Sequence, residues 1–182
     1  MDITVLLNEA RDGDSDALDR LVAALYPELK AMAQRRSRGT PSIGATTLVN
    51  EAFVRMLSGG RLTPADRQQF FGLAATVMRR IIVDEVRYLT AEKRAGAEVT
   101  LAETLIGDDA HDRAEFLLEV DAMLSIVHAE DARSARVFEC RYFAGLTTAE
   151  TAECLGISER SVERSWSSAR ARIGGLISDN SD

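Results

Sequence analysis

The sequence has little of what most enzyme sites and most β-rich folds require. Two cysteines, two histidines, three prolines and 5% aromatic residues are spread over 182 residues. A sandwich or barrel needs frequent turn signals and β-branched runs, and this chain is poor in both. No apolar run reaches the roughly 18 residues that cross a bilayer, and the N-terminal stretch MDITVLLNEARDGD turns acidic where a secretion signal would be basic. A cytoplasmic protein without membrane insertion is expected. His111 and His128 stand alone, and neither a GxSxG nucleophile motif nor a glycine-rich phosphate loop occurs. Paired acids fall on helix faces or in a central acidic stretch, so the sequence implies no enzyme, no cofactor and no metal. Cys140 and Cys154 lie in apolar, helical surroundings without a CxxC pair, which favours buried reduced thiols over a redox or metal role.

What is present is material for helices. Hydrophobic residues make up 46% of the chain and charged residues 28%, enough for compact cores in an all-α protein. Charge is uneven. Residues 1–90 hold 12 Lys and Arg against 11 Asp and Glu, residues 91–120 hold 3 against 8, and residues 121–182 hold 7 against 10. Counterion release from phosphates supplies most non-specific DNA affinity, so a chain of net charge -7 should bind DNA weakly by itself.

The periodicity predicts a short helix around Ile3 to Arg11. A second follows Gly13, capped by Asp14 or Ser15, with Leu18, Leu21, Val22, Leu25, Leu29 and Met32 inward. It ends in the basic cluster Arg35, Arg36 and Arg38, which fits a dipole-complementing helix end as well as a DNA or protein contact. In TTLVNEAFVRMLSGG a Thr46 or Thr47 cap precedes an apolar stripe of Leu48, Ala52, Phe53, Met56 and Leu57. A long helical pattern then places Phe70, Leu73, Ala74, Val77, Ile81 and Val86 inward and leaves Arg79, Arg80 and Arg87 for another surface. Residues 89–112 lose periodicity and gain acid. They are the expected flexible linker between two small helical domains, residues 1–88 and 113–182.

The segment TTAETAECLGISERSVERSWSSARARI carries the sharpest signal. Thr147 or Thr148 can cap a helix with Ala149, Ala152 and Leu155 inward, Gly156 supplies the turn, Ile157 fills the gap, and Ser158 caps a second helix. Val162, Trp166, Ala169 and Ile173 form the packed stripe of that helix. Arg160, Ser161, Arg164, Ser165 and Ser168 are left facing out, where arginine can clamp phosphate or grip guanine and serine can contact either. The pattern is that of a helix-turn-helix, although a plain helical bundle uses the same caps and turn. Glu163 would repel phosphate if it faced a duplex, so it is expected to point sideways.

Taken together, the segments resemble the extracytoplasmic-function (ECF) class of bacterial RNA polymerase sigma factors, which contain conserved regions 2 and 4 and a linker. GDSDALDRLVAALYPELKAMAQ is similar to the opening helix of region 2, TTLVNEAFVRML to its polymerase-binding helix, and FFGLAATVMRRIIVDEVR to the helix that engages the promoter -10 element. RVFECRYFAGLTTAETAECLGISERSVERSWSSARARI resembles region 4. The chain departs from many members in Thr47 and Asn50, where an acidic residue and Gln are common, and in the acidic pair Asp84 and Glu85. The resemblance implies that Leu48, Val49, Glu51, Phe53, Val54 and Arg55 lie on or support the helix that docks to core RNA polymerase. It implies that the loop from Ser58 to Arg67 and the following helix open the -10 element, with Arg79, Arg80 and Arg87 on phosphate, and that Arg160, Ser161, Arg164, Ser165 and Ser168 face the -35 element. Promoter DNA, core polymerase and an anti-sigma protein are the implied partners. A helix-turn-helix regulator that works without polymerase, and a degenerate sigma-like adaptor, are the alternatives.

Overall fold

Local capping decides where the helices begin. In the computed structural model, which describes residues 2–37, 43–57, 64, 66–94 and 108–180, α1 (Ile3–Arg11) starts at Asp2, whose carboxylate accepts from the Thr4 amide. Helix α2 (Ser15–Ser37) starts at Asp14, which accepts from the Asp16 and Ala17 amides at 2.9 and 3.0 Å, so Asp14 is the cap and Ser15 is already helical. Pro27 sits inside α2 without ending it. Helix α3 (Ala45–Leu57) begins ahead of the expected threonine caps, because the Leu48 amide bonds to the Gly44 carbonyl at 2.9 Å. Arg38, in the basic cluster, and residues 58–63 and 65, in the expected -10 loop, lie outside the described residues.

Helix α4 (Arg67–Arg94) runs past the boundary expected at residue 88. Buried Thr90 returns its hydroxyl to the Val86 carbonyl at 2.7 Å, and Tyr88 hydrogen-bonds Glu92 one turn on, so local contacts carry the helix into the acidic stretch. The other end of that stretch is helical as well, since α5 spans Asp108–Glu130. Residues 95–107 of the expected linker lie outside the described residues.

Asp131 then caps α6 (Ala132–Phe138), which passes directly into a π-helical turn, Glu139–Phe143. Helices α7 (Thr148–Leu155) and α8 (Glu159–Asn180) complete the chain. All regular structure among the described residues is helical.

The helices form two groups, α1–α4 and α5–α8, whose apolar faces join in one core. Leu21, Leu25, Leu29, Phe70 and Met78 from the first are buried with Leu124, Phe138, Phe143 and Ala169 from the second. A smaller cluster of Val137, Ala152 and Val162 holds α7 and α8 to α6. Contact between the groups is tight at Gly145. Its φ of +72° suits glycine, and a Cβ there would come within 2.7 Å of the Met32 carbonyl oxygen on α2.

Ion pairs cross the same boundary. Arg35 donates to the Gly145 carbonyl at 2.8 Å and to both oxygens of Glu150, while Arg67, paired with Glu28 within the first group, reaches Glu153 across the boundary. Arg36 lies over the Tyr142 ring, and burial pushes its guanidinium below the ordinary value. The basic end of α2 therefore docks onto the second helix group.

Candidate nucleic-acid and polymerase interface

The C-terminal pair of helices is built around reciprocal caps. The Thr147 hydroxyl accepts from the Glu150 amide at 3.2 Å, and the Glu150 carboxylate accepts from the Thr147 amide at 2.7 Å, a complete capping box. Gly156 ends α7 at φ +62°, Ile157 packs against the Val137, Ala152 and Val162 cluster, and the Ser158 hydroxyl accepts from the Ser161 amide to start α8. One inward assignment changes. Ala149 faces solvent, and Thr151 takes the buried position beside Ala152.

On α8, Val162, Ala169 and Ile173 are buried, and the half-buried Trp166 stacks on Phe138 with ring centroids 5.2 Å apart. Arg141 covers the other part of that ring at 4.6 Å, so Trp166 serves packing rather than base stacking. Arg160, Arg164 and Ser168, spaced four residues apart, are exposed, and neither arginine has an ion-pair partner among the described residues. Ser161 is half-buried, its hydroxyl 2.9 Å from that of Ser158. Ser165 is not on the outer face at all. It is 5% exposed because it lies three residues after Val162 and four before Ala169, on the packed stripe. Glu163 turns sideways, paired with Arg141 at 3.1 Å and accepting from the Thr148 hydroxyl.

The arginines of α4 are placed quite differently. Arg79 donates to Asp121 on α5 at 2.7 Å and lies 3.4 Å from Glu139 on the π-helical turn. Arg87 reaches the second oxygen of Asp121 at 3.4 Å. Asp121 and Glu139 are 9% and 5% exposed, and Glu139 is further held by Arg136 at 2.8 Å and the Thr76 hydroxyl at 3.2 Å. Arg79, 21% exposed, is joined to the second helix group, whereas Arg87, 62% exposed, touches Asp121 with one end of its guanidinium and otherwise faces solvent. Arg80 is exposed, with no ion-pair partner among the described residues. Desolvated carboxylates draw nearby guanidinium groups strongly, which is why the residue type alone does not locate Arg79. No local sequence pattern marks this network: Glu119 stands beside Asp121 in LLEVDAML, and Arg136 and Arg141 flank Glu139 in RVFECRYF.

Helix α3 divides its candidate residues cleanly. Leu48, Val49 and Phe53 are buried, and Phe53 joins α2 to α4 by stacking near Tyr26 and Phe70, each with centroids 6.3 Å away. Val54 is 60% exposed, next to the outward Asn50. Arg55 bonds Glu51 on its own helix and Asp84 on α4, both at 2.9 Å, and these bonds, Asp84 first, raise its guanidinium above the ordinary value. The acidic residue that made α4 less basic thus ties α3 to α4. Among the described residues, no group of His, Cys, Asp and Glu could hold a metal ion, and no helix is long and apolar enough to cross a membrane.

A match to the ECF sigma factor family extends over residues 1–179. The chain belongs to the ECF sigma factor family. Among solved structures, one described as CnrH in complex with the cytosolic domain of CnrY is 20% identical and covers 97% of each chain, with a TM-score of 0.40. The assignment rests on the family match rather than on that superposition. A search of curated proteins found no match. As an ECF sigma factor the chain serves transcription initiation.

Proposed function

We propose that this ECF sigma factor binds core RNA polymerase through the outer face of α3, reads the -35 element with α8, and engages and opens the -10 element with α4. The observation that carries this reading is the unpaired face of Arg160, Arg164 and Ser168 on a helix whose start and packing are fixed by the capping box, the Gly156 turn and the Val162 stripe. Arg160 and Arg164 supply phosphate and base contacts, Ser168 a further polar contact, and Ser161 acts from the cap. On α3, Asn50, Glu51, Val54 and Arg55 form the docking face, while Leu48, Val49 and Phe53 support it from the core.

For the -10 element, Arg80 and the largely exposed Arg87 are presented already, whereas Arg79 becomes available only when the two helix groups separate. Polymerase supplies the energy for that separation by holding the groups on separate surfaces. Strand opening without ATP then draws on binding energy, with flipped bases held by protein. The net charge of -7 is consistent with this division of labour, because polymerase provides the basic channel and the sigma subunit the selection. No catalytic step is assigned to the chain, which works in the cytoplasm where polymerase is. An anti-sigma protein is the expected further partner.

The test is transcription in vitro on a genomic fragment library with core polymerase from the source organism, with and without the protein. New RNA 5' ends that share two short upstream elements support the proposal. A folded protein with active core and no new starts contradicts it and favours the regulator or adaptor reading.

A further inference from the structure

The two cysteines, separated by a turn of π-helix and the whole of α7, come together in space. Cys140 is fully buried on the π-helical turn, and Cys154 is half-buried in the last turn of α7. The two thiols are near enough to perturb one another electrostatically. The Cys154 sulfur also lies 3.7 Å from the Gln68 carbonyl oxygen on α4, to which its thiol donates. A Cβ added at Gly72, one turn along α4, would meet that sulfur at 3.8 Å and Arg136 Nη2 at 3.3 Å, so the absence of a side chain there leaves room for both. In front of Cys154 is an open cleft lined by Gln68, Gly72, Thr76, Arg136 and Leu155. Cys154 thus combines access from solvent, a neighbouring guanidinium and a second thiol behind it. Redox-sensing cysteines share that combination, and structural buried thiols lack it.

We propose that Cys154 and Cys140 form an oxidisable thiol pair, with Cys154 attacking a hydroperoxide, Cys140 resolving the product, and the resulting disulfide loosening α7 from α4. Exposure sets the order of events. Cys154 is half-buried at the edge of the cleft, whereas Cys140 is fully buried, where Cys154 beside it and then burial hold its thiol up.

With hydrogen peroxide, the Cys154 sulfur attacks one oxygen, the O–O bond breaks, and the other oxygen leaves as water after taking a proton. Cys154 is left as a sulfenic acid. The Cys140 sulfur then attacks the sulfenic sulfur, the S–O bond breaks, and the departing hydroxide takes the Cys140 proton to leave as a second water. Two thiols lose two electrons and the peroxide gains them. A disulfide leaves Cys154 with no S–H to donate, so its hydrogen bond to the Gln68 carbonyl is lost. That contact belongs to the boundary between the two helix groups, which is where oxidation would act.

The test treats the full chain with hydrogen peroxide, alkylates the remaining thiols after unfolding, and maps peptides by mass spectrometry. An internal Cys140–Cys154 disulfide is expected, with faster amide exchange in α4 near Gln68 and Gly72. Cys140→Ser should stop at a sulfenic acid on Cys154 that dimedone traps, and Cys154→Ser should leave Cys140 at least about tenfold less reactive. Should a variant fail to fold, the wild-type peptide map decides alone. Two free thiols after treatment, a disulfide only between chains, or Cys140 reacting first would overturn the proposal.

Discussion

Arg160 and Arg164 on α8 stand in solvent, whereas Arg79 on α4 is mostly covered and held by Asp121 and Glu139 across the boundary between the helix groups. The same residue type, on helices of comparable amphipathic design, is presented in one case and engaged in the other. The difference comes from what lies opposite. Helix α8 buries its stripe against α6 and α7 and faces outward beyond it, while α4 is packed on both sides, by α3 on one and by α5 and the π-helical turn on the other. On the proposed reading the duplex-reading face is complete in the folded chain, while Arg79, one member of the proposed strand-opening face, is withheld until the groups part.

The largest effect should come from forcing the groups apart. Gly145→Val places a side chain at φ +72° against the Met32 carbonyl, and a loss of about 3 kcal/mol is expected in urea unfolding. An unchanged midpoint would show that the two groups do not depend on that contact. Arg164→Ala sharpens the other side of the comparison. It should cost about 2 kcal/mol of -35 discrimination in promoter binding by the polymerase complex while leaving the unfolding curve alone. Unaltered promoter preference would remove Arg164 from the reading face.

Asp121→Asn takes the charge that holds Arg79 and Arg87. The free protein should then bind single-stranded DNA several-fold more tightly, a gain of about 1 kcal/mol, with a steeper salt dependence. Equal affinity would mean that these arginines stay covered by something else. The smallest effect concerns Asp131, the cap of α6 between the two arrangements. The Ser134 hydroxyl, and then its amide, holds the Asp131 carboxyl below the ordinary carboxylate range. Its contribution is fully present above the unfolded value of about 4 and fades as pH falls through the lower folded value. Asp131→Ala should cost about 1 kcal/mol at neutral pH and less in acid, read from unfolding at both pH values.

Most of the fold was legible because it rests on local rules. The 3.6-residue repeat located each core stripe, and α1, the Thr147 cap, the Gly156 turn and the Ser158 cap all lie where their residue types place them. Errors arose where a residue fits two faces or where tertiary contacts decide. Ser165 was read as outward because serine is polar, yet the i, i+3, i+7 positions from Val162 run through it. Thr151 displaced Ala149 inward because its hydroxyl finds the Thr147 carbonyl at 2.8 Å and so can be buried. The pairing of Arg79 with Asp121, 42 residues away, has no local signature, and neither does the docking of Arg35 on Gly145 and Glu150. The candidate site was thus readable as a set of residues, but which of them are presented depends on packing between the groups.

The measurement that bears most directly on this account is the distance between the groups with and without core polymerase. Fluorophores carried by non-natural side chains at the exposed positions Ala23 on α2 and Asp179 on α8, away from the proposed docking and reading faces, report it without disturbing either cysteine. Efficient energy transfer in the free protein that falls on adding core polymerase is the predicted result. Transfer that is unchanged by polymerase binding, or already low in the free protein, would contradict it.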